Sequence, residues 1–364
     1  MKTTIKDIAR QVGVSQTTVS LAFRENSRIS AATRQQVLEV ANRLNYTPNL
    51  TARHLRCGKT RSIGMLVNDI TNPFYALMVR AAAKTVARHG YELLITDSQW
   101  NPDKEIRELK KLIESRVEGI LACFCEKTDE GFTLLERYNV PFLALDTYPK
   151  GFKGPFVAND LIDTGRLAAE HLAEAGCRHP VFFTAEQEMA HFSSFLIIER
   201  EFGRILNERG IEFDAGHVIS AGLTIASGLE ALMKLWKKDR TVDGIFCANS
   251  LCALGVIEAG DRLGIKVGRD LAVMGIDDLD ICELSRISLT AIRQLYGQLT
   301  EMAATSLIDC LREKRPLTVR LSLKPELIVR ESSRLKINHA KSRLVAPNIS
   351  SILDPERVTA SGKV

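Results

Sequence analysis

No C-x-x-C pair occurs among the eight cysteines of this 364-residue chain, at positions 57, 123, 125, 177, 247, 252, 282 and 310. Several stand inside apolar runs, as in Leu121-Ala122-Cys123-Phe124 and Ile245-Phe246-Cys247-Ala248. That placement predicts reduced, buried thiols in a cytoplasmic protein, not a disulfide framework. No apolar run reaches the ~20 residues that span a bilayer, and the polar N-terminus has no apolar secretory core. A chain that neither crosses a membrane nor is exported is expected. The seven histidines are scattered without metal-ligand spacing, so His171 and His179 read as surface or helix-end residues. Catalytic signatures are missing as well: there is no G-x-S-x-G, G-x-G-x-x-G or H-E-x-x-H. Gly58-Lys59-Thr60 imitates the end of a phosphate loop, but Arg53 stands where its first glycine belongs and no apolar strand precedes it. The sequence therefore predicts no enzyme, no cofactor and no metal.

What is present is an uneven charge. Residues 1–60 hold ten Lys/Arg against Asp7, Glu25 and Glu39, a net +7, which leaves −2 for the rest of a chain whose total is +5. A basic head on a near-neutral body suits a nucleic-acid-binding module fused to something else. The length exceeds one ordinary core, so two or three domains are expected.

The head reads as helices. Ile5, Ile8, Ala9 and Val12 recur at helical spacing, Thr4 with Asp7 makes a capping-box-like start, and Gly13 closes the helix. Ser15 caps a second helix that buries Val19 and Phe23 and shows Gln16, Thr17 and Ser20 to solvent. Short hydrogen-bonding side chains on the N-terminal end of such a helix are what a recognition helix needs. Ser30 caps a third helix with Val37, Leu38, Ala41 and Leu44 as its buried stripe, ending before Pro48. A further short helix, capped by Asn49 and stopped by Gly58, is too short to stand alone in water and should order only against a partner.

These residues resemble the lactose- and purine-repressor (LacI) family of bacterial transcription regulators. The resemblance is carried by Thr4-Ile5-Lys6-Asp7-Ile8-Ala9, Gly13-Val14-Ser15, Thr18-Val19-Ser20, Thr33-Arg34, Tyr46-x-Pro48-Asn49 and Ala52-Arg53-x-Leu55. It implies a homodimer on a pseudo-palindromic double-stranded operator. Gln16 and Thr17 would read base edges, and Leu21 stands where many members place a guanine-reading Arg. Ser15, Thr18, Ser20, Arg24 and Asn26 would hold phosphates, and Thr4 belongs to the same contact set. At 49–56 the resemblance implies hinge helices paired in the minor groove. Asn49 would cap each one, Ala52 would allow close approach, Leu55 would wedge a base step, and Arg53 or Arg56 would reach phosphates.

From residue 62 onward apolar strands alternate with helices. Strands are expected at 63–67, 91–96, 119–124, 141–146, 180–184, 217–221, 244–248 and 271–276, with helices at 75–89, 104–115, 164–175 and 250–263. Continuous apolar strands between helices predict parallel sheets covered on both faces, and the count predicts two. The fold expected is an all-α helix-turn-helix head plus a bilobed, periplasmic-binding-protein-like α/β core of two doubly wound sheets. The domains would be 1–47 (head), 48–61 (hinge and linker), 62–335 (core) and 336–364 (disordered tail). The resemblance implies three crossings between the lobes, giving a first lobe of about 62–160 and 292–323 and a second of about 161–291 and 324–335. The tail has Pro347 and Pro355 but no leucine heptad, which argues against a C-terminal zipper.

Ligands of open α/β sheets bind at strand carboxyl ends, and two lobes make a cleft there. The resemblance puts Asp69, Asn72, Phe74, Asp146, Asp160, Asn249 and Asp277 at that cleft. Carboxylates and amides around an aromatic face suit a sugar or sugar derivative. Asn72 also reads as the end of a turn before Pro73, and Asp146 as a helix cap. Two departures from the family stand out: Ile198 where a ligand-binding Arg is usual, with Glu201 for a glycine, and Asn249-Ser250 for an Asn-Asp pair. A ligand-gated DNA-binding repressor is the function implied. A sugar-binding protein without DNA activity would not explain the basic head, and an enzyme would need a nucleophile or cofactor loop.

Overall fold

The structure, a computed structural model, describes residues 3–23, 28–46, 60–148, 151–187, 189 and 192–335. It divides into two compact units, Met1–Thr60 and Arg61–Val364.

The first unit contains α1 (Ile5–Val12), α2 (Gln16–Ala22) and α3 (Ala31–Arg43). The Asp7 carboxylate accepts from the Thr4 N–H at 2.9 Å and from its hydroxyl at 2.7 Å, fixing the entry to α1. Gly13 follows with φ of +73°, a left-handed backbone that turns the chain into α2 within two residues. Ser15 caps α2 by accepting from Thr18 N–H at 3.0 Å, and Ser30 caps α3 through Thr33 N–H at 3.1 Å. Ile8, Ala9, Val19, Ala22, Val37 and Ala41 form one small core. Phe23 is only half-buried, its ring 5.8 Å from that of Tyr46.

The second unit has two six-stranded sheets. The first contains β1 (Ser62–Val67), β2 (Glu92–Asp97), β3 (Gly119–Ala122), β4 (Phe142–Asp146), β5 (Phe156–Asn159) and β11 (Arg320–Leu323). They lie in the order β11-β5-β4-β3-β1-β2, every pair parallel. Alternate side chains go to opposite faces. Ile63, Met65, Leu121, Leu143 and Val157 pack with α4 (Pro73–Arg88) and α11 (Tyr296–Glu313). Leu66, Ile120, Ala122, Ala144 and Phe156 pack with α5 (Pro102–Glu114) and α6 (Glu130–Arg137).

The other sheet contains β6 (Pro180–Thr184), β7 (Val218–Ser220), β8 (Gly244–Cys247), β9 (Ala272–Ile276), β10 (Thr290–Arg293) and β12 (Glu326–Ile328). Its order is β12-β10-β9-β8-β6-β7, parallel except for β12 against β10. Helices α7 (Leu161–Glu174) and α8 (Ser193–Glu208) cover one face, and α9 (Ile225–Lys238) and α10 (Ser250–Leu263) the other. The chain changes sheet after β5, returns after β10 through α11, and crosses again between β11 and β12. Strands β5, β10, β11 and β12 are additional to the eight that the sequence pattern predicts, and β3 stops at Ala122, short of the predicted residue 124.

Candidate nucleic-acid interface and inter-lobe cleft

Because Ser15 ends the turn, the first turn of α2 presents its N-terminus outward. Gln16 and Thr17 are exposed there, Thr18, Ser20 and Leu21 are half-buried, and Thr4 is exposed at the start of α1. The Ser15 and Thr18 hydroxyls lie 2.9 Å apart. No acidic residue occupies the first turn of α2, so the positive end of its dipole stays uncompensated and suited to a phosphate. Arg24, Asn26, Asn49, Ala52, Arg53, Leu55 and Arg56 lie outside the described residues.

In the core, the carboxyl ends of both sheets face one cavity of about 70 Å³. Asn72, Phe74, Tyr75, Trp100, Asp146 and Thr147 line it from the first lobe, and Ser194, Phe195, Ile198, Leu223, Asn249 and Asp277 from the second. Gln294, at the second crossing, also lines it.

Asp146 is the last residue of β4 and Asp277 directly follows β9, and both have left-handed backbones with φ of +71° and +72°. Asp residues tolerate this region better than most, and such backbones gather at ligand sites. Asn159 Nδ2 donates to Asp146 Oδ1 and to Gln294 Oε1, each at 2.6 Å. Burial pushes the Asp146 carboxyl up to about 7, opposed by the Asn159 hydrogen bond and reinforced by Glu126. Asp277 is pushed up to about 8, by burial first and then by the negative charge of Asp146. Ser250 fixes this end of β9 by donating its hydroxyl to Ile276 O at 2.9 Å and to Asp277 O.

Asn72 does two things at once. It lines the cavity and also N-caps α4, its Oδ1 accepting from Phe74 N–H at 3.0 Å. Asn249 N-caps α10 through Cys252 N–H at 2.8 Å and donates Nδ2 to Leu223 O at 2.8 Å. Asp146 caps no helix among the described residues. Asp69 and Asp160 are not among the lining residues. Asp69 holds Thr71 through its N–H at 2.9 Å and its hydroxyl at 2.6 Å, and Asp160 caps α7 through Asp163 N–H at 3.0 Å. Ile198 faces the cavity, while Glu201 pairs with Arg204 at 2.6 Å.

Tyr75, Trp100, Asn159 and Gln294 are absent from the set the sequence suggests. Trp100 reaches the cleft from a loop in which it and Gln99 both have positive φ, and its ring meets Tyr75 at 6.2 Å and Phe192 of the other lobe at 5.4 Å. Its sequence signal is faint: one of two tryptophans, in a polar segment. Glu126, from the first lobe, accepts from the hydroxyl of Ser193 and from Ser194 N–H at 2.8 Å, tying the lobes at the start of α8.

A family model described as bacterial regulatory proteins, lacI family, matches residues 4–49, and one described as a periplasmic binding protein-like domain matches 169–333. The HTH-type transcriptional repressor PurR of Pasteurella multocida (strain Pm70) is 30% identical over 335 residues, covering 92% of this chain and 99% of that protein. Among solved structures, a transcriptional regulator CelR–cellobiose complex is 25% identical with a TM-score of 0.68, covering 91% of this chain and 100% of the other. The lac repressor dimer bound to operator and the anti-inducer ONPF is 23% identical with a TM-score of 0.79, covering 92% and 99%. That last likeness concerns the fold.

Proposed function

This chain belongs to the lacI family of bacterial regulatory proteins, and from that premise we propose that it is a repressor whose operator affinity is set by a small molecule bound between its core lobes. The observation that carries this reading is the pairing, in one chain, of a capped helix-turn-helix head with a two-lobed core whose strand ends close on a polar and aromatic cavity. It acts as a homodimer in the cytoplasm, without catalytic activity, and two heads read a pseudo-palindromic operator. Gln16 and Thr17 read base edges, Gln by pairing with adenine and Thr more permissively. Ser15, Thr18 and Ser20 set register on phosphates, together with Arg24 and Asn26. At the hinge, Leu55 is the wedge between base steps.

The effector is a sugar or sugar derivative, a class in keeping with the cellobiose of the CelR structure. About 70 Å³ is far below the ~300 Å³ of ordinary ligand pockets, so a sugar requires the lobes to part at their three crossings. Binding then changes lobe closure and, through α4, the dimer contact. Only a ligand with different affinity for the two states can do this. A thermal-shift screen of sugars and sugar acids, followed by operator binding with each hit, tests the reading. A ligand of the native state raises the melting temperature. Asp277→Ala should abolish the response to any hit, and a variant responding at the same concentration would remove Asp277 from the site.

A further inference from the structure

Among the described residues, no lysine or arginine lines the inter-lobe cavity. Its two acids come from opposite lobes and are nearly enclosed, Asp146 at 6% and Asp277 at 9% exposure. Asp146 has one hydrogen bond, from Asn159, and the Asp277 carboxylate has none among the described residues. Two arginines of the second lobe are held by another carboxylate. Asp278, next in the chain, holds Arg330 and Arg293, each at 2.6 Å. Lys127 lies 5.5 Å over the ring of Phe192, outside the lining set.

A second, independent feature opens on the same space. Thr147 lines the cavity, is nine-tenths buried, and its Oγ1 has no hydrogen-bond partner among the described residues. A buried hydroxyl without a partner is costly and marks where a ligand's polar group belongs. Around these groups stand the rings of Phe74, Tyr75, Trp100 and Phe195. Aromatic faces attract a cation, most strongly when water is excluded. Two acids without a countercharge, walled by rings, form a site whose missing component is positive. A neutral sugar offers hydroxyls to such a site but no positive charge that would let both enclosed carboxyls ionise.

We propose that the effector is a polyhydroxylated amine, of the amino-sugar or amino-polyol class, with its ammonium between Asp146 and Asp277 and a hydroxyl on Thr147. This rests on reading the cleft as the effector site. An ammonium there makes charge-assisted hydrogen bonds to a carboxylate from each lobe, so it draws the lobes together.

The test is calorimetric titration of the full chain with matched pairs: glucose and glucosamine, galactose and galactosamine, sorbitol and 1-amino-1-deoxysorbitol. At least one amine should bind roughly tenfold or more tightly than its neutral partner, the scale of a desolvated cation contact. Its binding should also release protons, seen as an enthalpy that depends on the ionisation heat of the buffer. The isosteric variants Asp146→Asn and Asp277→Asn, checked for folding by their melting without ligand, should lose the preference for the amine. Neutral partners that bind as well as or better than every amine overturn the charge inference. If Trp100→Ala weakens those neutral ligands, the cleft reading survives that failure. An amine that binds equally to wild type, Asp277→Asn and Trp100→Ala overturns the cleft reading and the inference with it. A panel with no binder at all overturns the ligand class.

Discussion

Asp277 directly follows a strand, with a backbone that few side chains adopt, inside a space that disfavours its charge. Its carboxyl lies near 8 in the folded chain against an ordinary 3.8. Below pH 4 the group is protonated in both states. As pH rises from about 4 to 8 the unfolded chain releases a proton that the folded chain retains, so stability falls across that window. Asn cannot ionise. Asp277→Asn should therefore raise the melting temperature relative to wild type, and by more at pH 8 than at pH 5. A difference that is flat with pH would contradict the assignment. Asp146, Asp277, Asn249, Asn72 and Phe74 were legible in the sequence through the family resemblance, which implies cleft positions at strand ends and at the helices beyond them, and all five line the cavity. Trp100 and Gln294 were not, since they reach the cleft from a loop and a crossing, and no periodicity marks such positions. Asp69 and Asp160 have the same strand-end pattern but spend their carboxylates on local turns and caps.

Capping set the elements that could be read in advance. Ser15 and Ser30 both accept from the third residue of their helices. Ser15→Ala should cost about 1 kcal/mol of head stability, measurable as earlier melting of the head by near-terminal amide exchange. It should also weaken operator binding, because it loosens the turn that presents Gln16 and Thr17. The elements missed are short. β11 and β12 are edge strands of four and three residues with mostly exposed or half-buried side chains, so they lack the apolar run that marks β1 or β4. Close helix contact is equally hard to read. A Cβ at Gly165 on α7 would stand 2.6 Å from Ile198 O on α8, the helix that carries Ser194, Phe195 and Ile198 into the cleft. Gly165→Ala should force α8 outward, costing roughly 1–3 kcal/mol by urea unfolding. Effector affinity should fall with it, and unchanged affinity would show that α8 does not set the cleft.

At the scale of the whole molecule, charge separates what the two units do. Residues 1–60 carry +7 and the remainder −2, so the two heads of the proposed dimer would bring +14 to DNA. Phosphate contacts release counterions, and affinity then falls steeply with salt. If each head makes several phosphate contacts through its basic side chains, operator affinity should drop on the order of a thousandfold between 50 and 200 mM salt. The cleft has the opposite character: its acids are enclosed, and enclosed charges are screened far less than exposed ones. Effector affinity over the same range should therefore move much less. Fluorescence anisotropy with a labelled operator, paired with effector titration at each salt concentration, measures both slopes on the same protein. The stoichiometry should be two chains per site, with footprint halves related by the twofold axis of the dimer. A shallow operator slope, or one chain on an asymmetric site, would mean that the heads do not work as a pair, and base readout by Gln16 and Thr17 would lose its symmetric partner.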